Sequence, residues 1–317
     1  MGVTLAGARV LVTGGGGFLG RALLARLREA RCATLVAPPR ADYDLLREAD
    51  VARLFAEHRP EVVFHLAAEV GGIAYNLANP GRTFYVNALM STLVMEQARL
   101  AGVAKFVGAG SVCAYPEHAE VPFREDALWD GYPEPSNGPY GLAKRMMLVQ
   151  GQAYRAQYGF NAVHLLVMNL YGPGDHFDPD RSHVVAALIR RMLEAVEGGA
   201  PELVVWGDGL ATREFLYVDD AARGLVLAAE RYDAPEPVNL GAGFEISIRD
   251  LAGLLAELTG YRGRLVFDGS RPSGQRRRSA DVSRAKRELG FEAEVGFREG
   301  LARTIAWYRA QRTAGAR

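Results

Sequence analysis

The sequence predicts an α/β protein with a doubly wound parallel sheet and a smaller C-terminal substrate-binding lobe. A strand pattern at 9–13 runs directly into a glycine-rich stretch at 14–20, and a helical stripe of leucines follows. Strand and helix patterns then alternate along most of the chain, which is typical of a parallel sheet covered by helices on both faces. The 317 residues suffice for one large domain or two unequal ones.

Composition excludes several classes of protein. The chain carries 37 basic and 37 acidic side chains, so no net field attracts nucleic acid or a membrane surface. Its two cysteines, Cys32 and Cys113, form no disulfide framework. No charged leader precedes the first strand, and no apolar run approaches the ~18 residues that span a membrane. We therefore expect a cytoplasmic protein.

The glycine-rich stretch predicts a dinucleotide site of the Rossmann type. Gly14 would allow the tight turn after the strand, Gly17 the close approach of a diphosphate, and Gly20 the packing of helix on strand. The diphosphate would then rest on the amides at the helix N-terminus. A flexible loop without a ligand is the alternative. The predicted cofactor-binding residues in this stretch are Gly14, Gly17, Phe18, Leu19 and Gly20.

The next two strands contribute the remaining cofactor predictions. The strand at 34–37 runs into Pro38-Pro39-Arg40 without an acid at its end, and a basic residue there favours NADP over NAD. An arginine that merely faces solvent is the alternative. The strand at 61–68 ends in Leu66, Ala67 and Ala68, and the two alanines suit close approach of a cofactor. We predict NADP, with NAD as the second possibility.

A tyrosine and a lysine one helical turn apart form the predicted catalytic pair. The strand at 105–109 leads to Ser111, at the edge where ligands collect in a parallel sheet. Tyr140 and Lys144 open a helix at 140–158 and share one of its faces. A nearby ammonium would lower the pKa of the Tyr140 phenol from about 10 towards neutral. Such a group is a general acid at physiological pH.

The second half of the chain predicts the smaller lobe. Ser182 is the predicted N-cap of a helix that extends to 197, and further helices are predicted at 248–259 and 298–309. We assign 1–168 to the dinucleotide-binding domain, with 214–238 returning to it. Residues 169–213 and 239–317 form the substrate-binding lobe.

Several longer motifs carry a resemblance to a known family. With the glycine fingerprint, Ser111, Tyr140 and Lys144, the chain resembles the extended short-chain dehydrogenase/reductases, and most of all the GDP-L-fucose synthases. The motifs are Ala67-Ala68-Glu69-Val70-Gly71-Gly72-Ile73, Ser111-Val112-Cys113-Ala114-Tyr115-Pro116, Glu134-Pro135-Ser136-Asn137-Gly138-Pro139-Tyr140, Asn169-Leu170-Tyr171-Gly172-Pro173, Ser182-His183-Val184-Val185 and Arg213-Glu214-Phe215-Leu216-Tyr217-Val218-Asp219-Asp220. Glu69 departs from the lysine usual in that family, so the identity of the sugar stays open.

The resemblance implies an NADP-dependent C3/C5 epimerase and 4-keto reductase of a nucleotide-linked 4-keto-6-deoxy sugar. Cys113 and His183 occupy the positions of the acid and base that invert the two carbons. Free thiols and imidazoles titrate at about pH 8.5 and 6.5, which suits proton transfer in both directions. Ser111 and Tyr140 would stabilise the enolate, and Lys144 would hold the nicotinamide ribose. The implied substrate-binding residues are Asn169, Arg191, Trp206, Arg213 and Arg278.

Two other functions stay open at this point. One is a nucleotide-sugar epimerase for another hexose or heptose that uses bound NAD(P) without net turnover. The other is a catalytically silent NAD(P)-sensing protein, although such a protein needs only the glycine loop. Neither Cys32 nor the other histidines has a predicted role, and no cluster has the spacing of a metal site.

The resemblance also implies a homodimer. The helices at 80–100 and 140–158 are similar to those that form a four-helix interface in extended members of the superfamily. The apolar side chains predicted at this interface are Met90, Met95, Met146, Met147 and Leu148, although core packing explains some of them equally well.

Overall fold

The computed structural model of the chain describes residues 2–179, 182–270 and 275–315, with all of their side chains except those at 73, 74 and 315. The strands are β1 (Arg9–Thr13), β2 (Thr34–Val36), β3 (Val62–His65), β4 (Lys105–Ala109), β5 (Ala162–Val167), β6 (Asn169–Tyr171), β7 (Glu202–Trp206), β8 (Thr212–Arg213), β9 (Phe215–Tyr217), β10 (Val238–Leu240), β11 (Ile246–Ser247) and β12 (Arg264–Asp268). The α-helices are α1 (Phe18–Glu29), α2 (Glu48–His58), α3 (Ile73–Ala78), α4 (Pro80–Leu100), α5 (Gly138–Tyr158), α6 (Val184–Glu197), α7 (Val218–Arg231), α8 (Ile248–Thr259) and α9 (Phe297–Gly315).

Six of these strands form one parallel sheet in the order β10-β5-β4-β3-β1-β2. Because β2 and β3 lie on opposite sides of β1, the strand order reverses at β1. In open α/β sheets, ligands bind beyond the carboxyl ends of the strands at such a reversal. The predicted doubly wound parallel sheet is confirmed, and its crevice lies after β1 and β3.

Both faces of the main sheet are covered by helices. Val10 and Val12 of β1 belong to a core that includes leucines of α1 and α7. Leu11, which points to the other face of the strand, belongs to a core with α2, α4 and α5. This alternation in β1 explains why the strand reads as a continuous apolar run in the sequence.

The smaller lobe is built from three strand pairs and three helices. The pairs are β6 with β9, β7 with β12, and β8 with β11. Helices α6, α8 and α9 share a separate apolar core with these strands. β10 completes the main sheet, so the predicted boundary at 238/239 falls inside a strand. We keep the two-part division as a proposal, with the returning segment at 218–240, because β9 belongs to the lobe and β10 to the main sheet.

Two local predictions are wrong. Helix α6 has His183 as its N-cap instead of Ser182, and no side chain caps it. Of the five apolar residues predicted at a dimer interface, Met90, Met95, Met147 and Leu148 are at most 7% exposed, because their sides of α4 and α5 face the core. Met146 alone of that set is exposed, at 44%.

Among the described helices, none combines the length and the apolar character that crossing a bilayer requires.

Candidate active site

The glycine loop after β1 forms a concave cradle, and side chains in place of its glycines would clash with the backbone or occupy the cradle. Gly14 has φ +75°, and a Cβ atom there would lie 2.7 Å from the backbone nitrogen of Ala67. A Cβ on Gly20 would lie 2.2 Å from the Gly14 carbonyl oxygen. Gly17 is the N-cap of α1, and around Gly16 a Cβ would meet no atom within 4 Å. The loop therefore combines close backbone packing with open space at a helix N-terminus, which fits a dinucleotide diphosphate.

The segment after β3 lies against this loop and carries a rigid ion pair. Arg82 binds both carboxylate oxygens of Glu69, at 2.6 and 2.9 Å, and the Tyr75 hydroxyl donates to the same carboxylate. Burial alone would raise the pKa of Glu69, but these hydrogen bonds and the charges of Arg82 and Arg40 lower it. Arg40 is exposed and near enough to Glu69 for its charge to act there.

The predicted catalytic residues of the main domain converge at the carboxyl end of β4. The Ser111 hydroxyl accepts a hydrogen bond from the Cys113 N–H at 3.2 Å, where a short 3₁₀ turn begins. Helix α5 packs on this turn so closely that a Cβ on Gly141 would lie 2.2 Å from the Cys113 carbonyl oxygen. Tyr140, the residue before it, is therefore held beside Ser111 and Cys113.

The pKa of Tyr140 differs from the prediction. Burial raises it, the charge of Cys113 raises it further, and a hydrogen bond with Ser111 only partly opposes them. The Lys144 Nζ donates instead to the Ala109 carbonyl at 2.8 Å and lies 5.7 Å from the centre of the Tyr140 ring. The prediction that Lys144 lowers the pKa of Tyr140 is thus wrong for the protein without its cofactor. Tyr140 keeps its proton at neutral pH and is a proton donor.

Lys144 is a buried cation, and no acidic group contributes to the shift of its pKa. It is 3% exposed, and burial lowers its pKa from 10.5 to about 8. Its one hydrogen bond is to the last carbonyl of β4. A buried ionisable group with a strongly shifted pKa is typical of functional sites.

His183 lies at the start of α6, on the lobe side of the crevice. His183 is exposed, yet the protein atoms around its imidazole desolvate the charged form and lower its pKa, and the charge of His176 lowers the pKa further. A Cβ on Gly72 would lie 3.7 Å from the Ser182 carbonyl oxygen, so the loop after β3 approaches this helix start. His183 is mostly neutral at pH 7, a form that accepts a proton as well as donating one.

Two arginines of the predicted substrate set gather around Cys113. The Arg278 Nη1 lies 3.7 Å from the Cys113 Sγ, and Arg278 is 8% exposed. The pKa of Arg213 is lowered to about 10, mainly by burial and also by the charge of Arg278, although the charges of Cys113, Glu134 and Glu245 act in the opposite direction. The thiol of the main domain and the cations of the lobe therefore share one site.

The other predicted substrate residues lie on neighbouring lobe elements. The Asn169 Nδ2 donates to the Glu214 carbonyl at 2.8 Å. Arg191 donates to the Val204 carbonyl at 2.6 Å, and Trp206, two residues further along β7, is 58% exposed. Arg191 and Trp206 thus both lie at β7.

Two buried histidines have structural roles. His65 Nδ1 shares a 2.8 Å hydrogen bond with Thr13, and its Nε2 lies 3.2 Å from the Ser91 hydroxyl. Burial lowers the pKa of both His65 and His164 to about 3, and the charge of Lys144 acts in the same direction on each. Both rings are neutral core residues. Within the part of the chain that the structure describes, no three His, Cys, Asp or Glu side chains are grouped to hold a metal ion.

The sequence analysis missed Glu214. This carboxylate is fully buried and is hydrogen-bonded to two distant segments of the chain. The available signal was a lone acid inside the strand-like run Glu214-Phe215-Leu216-Tyr217-Val218. A charged residue there is almost never fully buried unless it is paired.

Comparison with known proteins gives one family and several close relatives. The sequence profile of the NAD dependent epimerase/dehydratase family matches residues 10–241. GDP-L-fucose synthase 1 of Arabidopsis thaliana is 42% identical over 301 residues, which cover 95% of this chain and 93% of that one.

Solved structures agree with this. A GDP-6-OMe-4-keto-L-xylo-heptose reductase from C. jejuni superimposes with a TM-score of 0.90 at 28% identity, over 98% of this chain and 100% of that one. A GDP-L-fucose synthetase from Naegleria fowleri bound to NADP superimposes with a TM-score of 0.86 at 28% identity, over 98% and 97% of the two chains.

The unpaired burial of Lys144 predicts that this residue lowers the stability of the fold. At pH 7 folding carries a cation into the interior, so Lys144→Met should raise the free energy of unfolding by about 1–3 kcal/mol, since each pKa unit corresponds to about 1.4 kcal/mol. Wild-type stability should rise with pH between about 8 and 10.5, where only the unfolded chain keeps this proton. Urea denaturation at pH 7 to 10 measures both effects.

Lys105→Met is the matched control. Lys105 is fully buried as well, but its Nζ lies 2.6 Å from the Asp233 carboxylate. Its removal should destabilise the fold, because the Asp233 carboxylate loses its buried cation and the Tyr232 carbonyl loses a donor. A Lys144→Met variant that unfolds at lower urea than the wild type at pH 7 would contradict the account.

Proposed function

The chain belongs to the NAD dependent epimerase/dehydratase family, and we propose that it is an NADP-dependent enzyme of the GDP-L-fucose synthase type. It epimerises C3 and C5 of a GDP-linked 4-keto-6-deoxy sugar and reduces its C4 ketone. The observation that carries this proposal is the convergence at Cys113 of a proton-donating Tyr140 and two lobe arginines. A silent cofactor sensor needs none of these groups.

Epimerisation requires groups that exchange protons with the two carbons beside the ketone. The C4 ketone makes the hydrogens on C3 and C5 acidic. Cys113 and the mostly neutral His183 would take and return these protons, and thiol and imidazole groups both serve well at neutral pH. Hydrogen bonds from Ser111 and Tyr140 would stabilise the negative charge that develops on the C4 oxygen.

Reduction at C4 uses a different subset of the same site. NADP(H), when bound, supplies the hydride. Tyr140 gives its proton to the C4 oxygen, a role that its raised pKa permits because the phenol stays protonated. The Lys144 ammonium stands one helical turn away, where it would bind the cofactor ribose.

The chain's own residues fit the cofactor and the nucleotide. The glycine cradle would hold the dinucleotide diphosphate against α1, Leu66, Ala67 and Ala68 would line it, and Arg40 would meet the 2′-phosphate. Arg213 and Arg278 would bind the GDP diphosphate, for which the arginine fork is well suited. Asn169, Arg191 and Trp206 would complete the substrate site.

We further propose that two copies of the chain pair through α4 and α5. A groove between these helices is lined by Phe84, Trp129, Met146 and Val149, each between 38% and 50% exposed. Exposed apolar side chains that adjoin one another mark an interaction surface. A cytoplasmic location stays a prediction.

The two half-reactions depend on different residues, so two variants should affect them differently. Cys113→Ser should slow exchange of the C3 and C5 hydrogens with deuterated water at least 100-fold, because a hydroxyl is too weak an acid to form the base at pH 7. Tyr140→Phe should lose reduction and slow the exchange far less than Cys113→Ser does, because Ser111 still donates to the C4 oxygen. Mass spectrometry of the recovered sugar and NADPH absorbance report the two steps. Wild-type exchange rates in Cys113→Ser would remove the epimerase assignment and leave a reductase.

The proposed dimer predicts that a charge in the α4–α5 groove separates the copies. Val149→Glu should raise the dimer dissociation constant at least 100-fold, because it would bury an unpaired carboxylate. Val196→Glu is the control, since Val196 is a similarly exposed helical valine, at 42% against 48%, on α6. Light scattering at micromolar concentration distinguishes the forms. A monomeric wild type, or a Val149→Glu dimer as tight as the control, would count against the interface.

A further inference from the structure

Glu214 is a fully buried carboxylate with four hydrogen-bond donors. Its Oε1 accepts the N–H groups of Ala242 at 2.6 Å and Gly243 at 2.9 Å. Its Oε2 accepts the Ala280 N–H at 2.8 Å and the Ser279 hydroxyl at 3.0 Å. A carboxylate has acceptor positions for all four, so the group is well satisfied despite its burial. It fixes the 241–243 turn and the 278–280 segment to one point.

The backbone of the same residue reaches two further parts of the site. The Glu214 N–H donates to the Arg278 carbonyl at 2.9 Å, and its own carbonyl accepts from the Asn169 Nδ2 at 2.8 Å. Arg213 is its chain neighbour. Glu214 is therefore bonded or adjacent to three of the five residues proposed to bind the substrate.

The arginines that Glu214 connects repel each other. The charge of Arg278 contributes to lowering the pKa of Arg213 to about 10, which shows that the two guanidinium groups interact. Like charges in a partly buried site favour separation, although the charges of Glu134 and Glu245 also act on Arg213 and offset part of this repulsion. The hydrogen bonds from Ser279 and Ala280 to Glu214 hold the segment after Arg278 in place against this repulsion.

The Glu214 carboxylate packs closely against the backbone of the 241–243 turn. A Cβ on Gly241 would lie 2.1 Å from the Glu214 Oε1 and 2.9 Å from the Met168 Cγ. The turn therefore needs glycine at this position for the carboxylate to reach the amides beyond it. Such tight placement is typical of groups that hold a binding site in its final geometry before the ligand arrives.

We propose that Glu214 is a positioning residue that preorganises Asn169, Arg213 and Arg278 for the diphosphate of the nucleotide sugar. The inference rests on the proposed function for the identity of the ligand. Glu214 touches neither substrate nor cofactor in this account. It acts by holding two cations close together, so that the diphosphate binds without rearrangement of the lobe.

The test compares two buried carboxylates. In Glu214→Gln the side-chain amide should face Ser279, whose hydroxyl can turn to accept, and the Ala280 N–H then loses its acceptor. Asp220→Asn is the control, because Asp220 is 2% exposed and accepts the N–H groups of Glu294 and Val295, a segment without proposed ligands. Calorimetry measures binding of GDP, inorganic pyrophosphate and NADP⁺ to the whole chain.

We expect Glu214→Gln to raise the dissociation constants of GDP and pyrophosphate at least tenfold and that of NADP⁺ less than twofold. In turnover, KM should be raised by a larger factor than kcat is lowered. Asp220→Asn should change all three dissociation constants less than twofold. Equal losses in the two variants, or GDP binding within twofold of wild type in Glu214→Gln, would overturn the proposal.

Two further measurements keep the test decisive. If Glu214→Gln does not fold, Ser279→Ala takes its place in the test, because it removes one donor to the Glu214 carboxylate. It should raise the dissociation constant of pyrophosphate about threefold. Unchanged pyrophosphate binding would overturn the proposal. If the wild type binds pyrophosphate but not GDP, the GDP assignment fails. A selective loss of pyrophosphate binding in Glu214→Gln would still support the positioning role.

Discussion

The catalytic edge of the main domain depends on the contact between the buried Lys144 ammonium and the Ala109 carbonyl. That carbonyl ends β4, and Ser111 and Cys113 follow it within four residues. Lys144 stands one helical turn after Tyr140 on α5. The hydrogen bond therefore fixes the register between the strand end and the helix, and it places thiol, hydroxyl and phenol together. Burial of this cation costs stability, as its lowered pKa of about 8 shows, so its retention is explained by the chemistry it supports.

The second half of the site is built on a different principle. The arginines at Cys113 come from lobe segments that are far apart in the chain and joined at Glu214. In the proposed reaction the main domain supplies Ser111, Cys113 and Tyr140, and the lobe supplies His183 and the fixed positive charge for a diphosphate. Because Arg278 lies 3.7 Å from the Cys113 sulfur, the two halves meet at the residue proposed to begin epimerisation. This arrangement joins recognition of the nucleotide to the reacting carbons of the sugar.

Features set by neighbouring residues in the chain could be predicted from the sequence. The glycine loop, the alternation of strands and helices in the main sheet, and the bounds of α4 and α8 depend on local patterns and were predicted correctly. Glu214 was missed because its partners lie 28 to 66 residues away. Met90, Met95 and Met147 lie in the core and not at the predicted surface, because helical spacing does not reveal which face of a helix meets the core. The pKa of Tyr140 was misjudged because spacing indicates a neighbouring ammonium but not the burial that outweighs it.

The most direct test of the account is a complete turnover of GDP-4-keto-6-deoxy-D-mannose by the whole chain with NADPH. We predict that NADPH and the 4-keto sugar disappear in equal amounts. The product should be inverted at both C3 and C5 and carry a hydroxyl at C4, as nuclear magnetic resonance would show. Inversion without loss of NADPH absorbance would instead indicate an epimerase that uses its cofactor without net turnover. Reduction with both carbons unchanged would contradict the role given to Cys113 and His183.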